Sequence, residues 1–124
     1  TGEHAALFVD SIPNLVYLPT EIETPMHESI KAWCSGHISE GKVCDPVSLD
    51  VLDQRDSSEL IPAEFSDGNV DLVININMIH ISPWECTAGL FRIASRALKS
   101  TGLLCMYGPF RVNGTMVESN SKAG

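Results

Sequence analysis

At 124 residues the chain has the length of one small domain. It is 44% hydrophobic, enough to bury a core, and no apolar run approaches the ~20 residues of a membrane-spanning helix, so a soluble protein is expected. Sixteen acids against eight bases leave a net charge of −8 with no block of Lys or Arg. Such a surface repels phosphate backbones, so nucleic acid is a disfavoured partner, whereas a small cationic or neutral ligand is not excluded.

Residues 3–11 favour a helix: Ala5, Ala6, Leu7 and Phe8 form an apolar cluster, and Glu3 suits the amino end. Pro13-Asn14 breaks the chain, and LVYLP (15–19) reads as a short buried strand stopped by Pro19. Thr24 as cap and Pro25 in the first turn open the next helix, with Met26, Ile30 and Trp33 on its apolar face and Gly36 at its end. VSLDVL (47–52) is the next expected strand. Residues 53–69 are polar, with a short helix expected around Ser58–Ile61 and a turn at Asp67-Gly68.

VDLVININMIHI (70–81) carries the strongest strand signal: Val70, Leu72, Ile74 and Ile76 on one face, Asp71, Val73, Asn75 and Asn77 on the other. Ser82-Pro83-Trp84-Glu85 spells a capping box, and Trp84, Ala88, Phe91, Ala94 and Leu98 continue at helical spacing until Gly102. LLCMYGPF (103–110) reads as a buried strand, and 111–124 as a polar, loop-like tail. The order αβαβ(α)βαβ implies a parallel sheet with helices on both faces, in which ligands bind beyond the carboxyl ends of the strands. Glu21, Asp50, Asn77–His80 and Gly108–Phe110 are thereby expected along one rim.

Four cysteines (Cys34, Cys44, Cys86 and Cys105) form no C-x-x-C pair and no zinc-finger spacing with His, so no metal site is expected. Reduced, mostly buried thiols suit a cytoplasmic protein, or one also found in the nucleus. Asn113-Gly114-Thr115 spells a glycosylation sequon that matters only in a secreted protein.

Gly2 stands directly before a helix, where backbone N–H groups can approach an anion. Glu21 follows the LVYLP strand 19 residues beyond Gly2, the place where a carboxylate holds ribose hydroxyls, with Glu23 as competitor. Asp50 can accept from an exocyclic adenine amine, although Asp53 and Asp56 follow closely. Asn77 offers both ends of its amide. His80 can serve as a base near neutrality or simply bond a nearby carbonyl. Trp84 suits helix packing, or the face of a cationic ligand.

TGEHA, LPTEIE, SLDV, VDLVININMIHISPWE and LKSTGLLCMYGPF together resemble a class I S-adenosylmethionine-dependent methyltransferase over nearly the whole chain. NINMIHISPWE with LLCMYGPF is more closely similar to the methyltransferase-like protein 26 family. The resemblance implies a Rossmann-like sheet and S-adenosyl-L-methionine as cofactor. The methionine part of the cofactor would lie at Thr1-Gly2 beside Glu3 and His4, its ribose at Glu21 and its adenine near Asp50. Asn77, Met78 and His80 would face the methyl donor. His80 is then the candidate base, with Tyr107 behind it. The family usually has Asp at the position of Glu21. Its first strand and leading glycines would precede Thr1, and its last helix and strands would follow residue 124, so residues 1–124 are expected to be a single partial domain.

The expected function is therefore methyl transfer to an acceptor, small molecule or protein, that the sequence does not name. Two alternatives stand beside it: a catalytically inactive cofactor-binding or scaffold protein of the same fold, and a nicotinamide-dinucleotide-dependent oxidoreductase, which shares the Gly loop and ribose acid.

Overall fold

Two helices, each burying a pair of residues four apart, organise the first 50 residues. In the computed structural model, which describes residues 2–116, the chain forms two compact units, Thr1–Asp50 and Val51–Gly124. Helix α1 (Glu3–Ser11) has the expected bounds and buries Ala5 and Val9, four residues apart. Helix α2 (Met26–Ser39) buries Ile30 and Cys34, also four apart. These rows meet, with Val43, in the core of the unit, and Ala6, Leu15, Tyr17 and Ile38 pack around it. Leu7, expected in the apolar cluster, is 58% exposed, because a helix turns 100° per residue and Ala5 and Val9 define the inward face. Trp33 is likewise half-exposed, and Cys34 beside it is fully buried.

Both expected ends of α2 need correction. Thr24 makes no side-chain cap; its carbonyl accepts the His27 N–H at 3.0 Å. Gly36 does not end the helix, which runs on to Ser39. A helix-interior glycine costs only about 1 kcal/mol relative to Ala, too little to stop it. The true stop is Gly41, left-handed at φ 73°. Its N–H donates to Ile38 O at 3.0 Å, and the Lys42 N–H donates to His37 O at 2.9 Å, the two bonds of a Schellman motif.

The expected strands 15–19 and 47–52 do not form continuous ladders. They reduce to two isolated parallel bridges, Tyr17↔Val43 and Thr20↔Val47. Pro19 and Pro46 lack N–H groups, and the pairing offset slips by one residue between the bridges, so the ladder is interrupted. Residues 48–50 lie outside any strand, and 51–52 form a turn.

The second unit begins with α3 (Ser57–Leu60), close to its expected place, and a 3₁₀ turn at Ala63–Phe65 that the sequence reading did not anticipate. Strand β1 (Val70–Ile76) pairs in parallel with β2 (Leu98–Tyr107), in register from Leu72↔Leu103 to Ile76↔Tyr107. A parallel pair needs a crossover, supplied by α4 (Met78–Ile81) and α5 (Glu85–Ala97). The 12-residue strand expected over 70–81 stops at Ile76, because Asn77 adopts φ 59° and turns the chain into α4. Asn tolerates that conformation better than most residues.

Helix α5 has the expected period but not the expected phase. Cys86, Leu90, Ile93, Ala94 and Ala97 are buried, while Trp84 is 77% and Phe91 47% exposed. The small residues decide the side. A Cβ on Gly89 would lie 2.2 Å from Val51 O, so the helix rests its glycine directly on that backbone. The capping box does not form: the Ser82 hydroxyl donates back to Met78 O at 2.7 Å, and α5 starts without a side-chain cap. Gly102 lies within β2 rather than ending a helix; a Cβ there would stand 3.1 Å from Val70 O. On β2, Leu103 (68% exposed), Cys105 and Tyr107 share an open face, so the expectation of a buried strand and of a buried Cys105 thiol is corrected.

The tail expected as loop contains a hairpin, β3 (Arg111–Val112) with β4 (Thr115–Met116), as far as residue 116. Asn113 and Gly114 both have positive φ, as a type I′ turn requires, so the sequon letters spell a hairpin turn. Thr1 and residues 117–124, also named in the sequence reading, lie outside the described residues.

Candidate functional site

The predicted site residues fall into two groups: Gly2, Glu21 and Asp50 in the first unit, and Asn77, Met78 and His80 in the second.

Gly2 occupies the left-handed region at φ 99° immediately before α1, and its carbonyl accepts the Ala6 N–H at 3.1 Å. A Cβ there would lie 2.7 Å from Ile30 Cα and 3.1 Å from Trp33 Cβ. Both conformation and space therefore demand glycine. The Cys34 thiol donates to Gly2 O at 3.6 Å, fixing the turn from beneath. Burial pushes the Cys34 thiol above its ordinary range, and burial, then Cys34 itself, does the same to the Tyr17 hydroxyl.

Glu21 is held at three points. Its N–H donates to Val47 O at 3.0 Å, and its Oε1 accepts the Glu23 N–H at 3.1 Å. His27 Nε2 lies 2.9 Å from its carbonyl, which can only accept, so His27 carries a hydrogen on Nε2. A carboxylate accepting one backbone N–H keeps most of its lone-pair capacity, so Glu21 can still accept from a diol. Glu23, the competitor, spends its N–H on orienting Glu21. Gly2 and Glu21 touch α2 at Ile30 and His27, one helical turn apart. Sequence reasoning missed His27 as the residue that positions Glu21; the signal was a histidine opening the helix six residues beyond that acid.

Asp50 is exposed and lies outside any strand, three residues beyond Val47, rather than at a strand end. Its two competitors are engaged elsewhere. Asp53 pairs with Arg55 at 2.7 Å, and Asp56 with Arg96 at 3.1 Å. The Arg55 guanidinium, then the Arg55 backbone N–H, hold the Asp53 carboxyl below the usual carboxylate range. Arg92 donates to both Val51 O and Asp53 O. With Gly89 one turn earlier on α5, it clamps this turn of chain.

In the second unit the ends of β1 and β2 converge. The Asn77 N–H donates to Tyr107 O at 2.9 Å, and Asn77 O accepts the His80 N–H at 3.2 Å. Met78 O accepts from both the backbone N–H and the hydroxyl of Ser82. The His80 ring meets Phe110 edge-to-face, with centroids 4.8 Å apart. It rests on Gly108, where a Cβ would lie 2.2 Å from His80 Nε2 and 3.4 Å from Asn77 Oδ1. Gly108 and Phe110 thus belong with Asn77 and His80, as the rim expectation placed them. His80 is exposed, so solvent or a ligand can reach its ring.

Among the described residues no helix is long and apolar enough to cross a membrane, and no cluster of three or more His, Cys, Asp or Glu side chains is arranged to hold a metal ion. No solved structure matches the chain. Over residues 1–123 the sequence matches a family described as protein of unknown function, DUF938, and the chain belongs to that family.

Proposed function

We propose that the chain carries the donor-binding part of a class I S-adenosylmethionine-dependent methyltransferase with a Rossmann-like sheet, acting in the cytoplasm. The observation that carries this reading is the pairing of Gly2 with Glu21. A left-handed glycine with no room for a Cβ opens α1 against Ile30, and Glu21, its backbone bonded to Val47 and His27 and its carboxylate accepting the Glu23 N–H, lies one turn away along α2.

These residues fit S-adenosyl-L-methionine. The backbone at Gly2 and the amino end of α1 favour a carboxylate. In this reading the Glu21 carboxylate, which accepts one backbone N–H, would also accept from the two ribose hydroxyls, and Asp50 from the adenine amine. In the second unit Asn77 and Met78 turn the chain sharply at the end of β1, the positions that the methyltransferase resemblance assigns to the methyl donor. The bound donor supplies an electrophilic methyl; the chain's residues align the partners and exclude competing geometries. His80 is the candidate to accept a proton from an acceptor that arrives protonated. The inactive scaffold and the nicotinamide oxidoreductase remain the rival readings, since both would keep the same ribose carboxylate.

Calorimetric titration of the natural full-length polypeptide with S-adenosylmethionine tests the assignment. Glu21→Ala removes charge-assisted hydrogen bonds and should weaken binding about 10- to 100-fold. An unchanged dissociation constant would move the ribose role away from Glu21. A preference for a nicotinamide dinucleotide would favour the oxidoreductase.

A further inference from the structure

We propose that the surface formed at the carboxyl ends of β1 and β2 binds a flat, uncharged aromatic ring, and that this ring belongs to the acceptor; only this last assignment rests on the methyltransferase reading. The wall of the site is the edge-to-face pair His80–Phe110, with centroids 4.8 Å apart and planes at 67°. Such a pair leaves a ring face on which a third ring can stack or abut, each contact contributing beyond simple area burial. The floor is Gly108. His80 sits so close to its backbone that a methyl group could not fit between them, and the Asn77 side-chain amide lies over the same point. An amide beside an apolar wall suits a ligand with one polar hydroxyl on a flat ring.

The lip of the site is unusually apolar for exposed surface. Ile81 is 85% exposed and Trp84 77%, and Tyr107 at the end of β2 is 65% exposed. Single exposed apolar groups need no explanation, but several gathered at one end of a sheet mark a contact surface. They stand on the connection between α4 and α5: the Ser82 N–H and hydroxyl both return to Met78 O and close α4, and the Cys86 N–H bonds Pro83 O as α5 begins. Charge argues for a neutral ligand. The formal charges nearest in sequence are Glu85 and Arg111, one of each sign. The Lys99–Asp71 ion pair, at 2.7 Å, joins the opposite, amino-terminal end of β1 to the start of β2.

Amide and indole N–H resonances of the natural full-length polypeptide, followed by two-dimensional NMR during titration with p-cresol, test this. Benzylamine and benzenesulfonate serve as cationic and anionic controls. The expected result is saturable shifts at Gly108, His80 and the Trp84 indole with p-cresol, stronger than with either control. Gly108→Ala, which displaces the His80 ring, and Trp84→Ala should each weaken p-cresol binding about three- to tenfold, with the remaining resonances unmoved. Preference for a charged control, shifts elsewhere, or shifts that follow protein concentration in place of probe would overturn the proposal. Binding of p-cresol without any binding of S-adenosylmethionine would support the ring site and defeat the methyltransferase reading. The reverse pattern would defeat the ring site alone.

Discussion

Close packing on glycine is the recurring device at the residue scale. Gly2 lies against the Ile30 backbone and Gly89 against the Val51 backbone, within distances that exclude a Cβ, and Gly108 lies against the His80 ring, which a Cβ would displace. At Gly89 the obstructing atoms are a carbonyl and its carbon, which cannot rotate away as a side-chain tip could. Gly89→Ala should therefore destabilise the protein by about 1–3 kcal/mol, as overpacking does, and release the turn that Arg92 also holds. Denaturant titration checks this, and an unchanged midpoint would show that the helix can shift to make room. These contacts were only partly legible in the sequence. Gly2 and Gly108 were singled out by their place at element ends. Gly89 sits mid-helix, where a glycine reads as a mild local penalty, and its reason becomes visible only when the 51–53 turn is seen beneath it.

At the scale of elements, periodicity located the helices but misjudged both ends of α2, both ends of α5 and the buried face of α5. The α5 segment contains two apolar stripes. One holds the large residues Trp84 and Phe91; the other holds Leu90 and Ile93 among small ones. A reading by hydrophobicity selects the first. Packing selects the second, because small residues let a helix approach backbone closely. The end of α2 shows the same kind of competition, between Gly36 and Gly41. Both are open, with no atom within 4 Å of a Cβ built at either. Gly36 has ordinary helical backbone, so Gly36→Ala should stabilise by about 0.5–1 kcal/mol through the unfolded chain's entropy. Gly41 is left-handed, so Gly41→Ala should cost about 1–2 kcal/mol. The two variants, compared by thermal melting, should move in opposite directions. A shift of the same sign in both would refute the assignment of the helix stop.

At the scale of the whole molecule, the α/β character was legible from the alternation of helix and strand patterns, and the βαβ passage from β1 to β2 follows it in parallel register. The shorter ladders were not legible, because Pro19 and Pro46 interrupt pairing at positions where composition alone still favours strand. The candidate site was legible as residue types at element ends: Gly2, Glu21, Asn77 and His80 all sit at such ends, whereas Asp50 lies in a loop. What the sequence could not supply was the set of bonds that orient them, above all His27 and Glu23 on Glu21, since those depend on a fold-back of the loop.

The most direct measurement is a crystal structure of the natural full-length polypeptide with S-adenosylhomocysteine. The account predicts the ribose hydroxyls on the Glu21 carboxylate and the amino-acid end of the ligand at the Gly2 turn. A ligand seated away from both residues would contradict it.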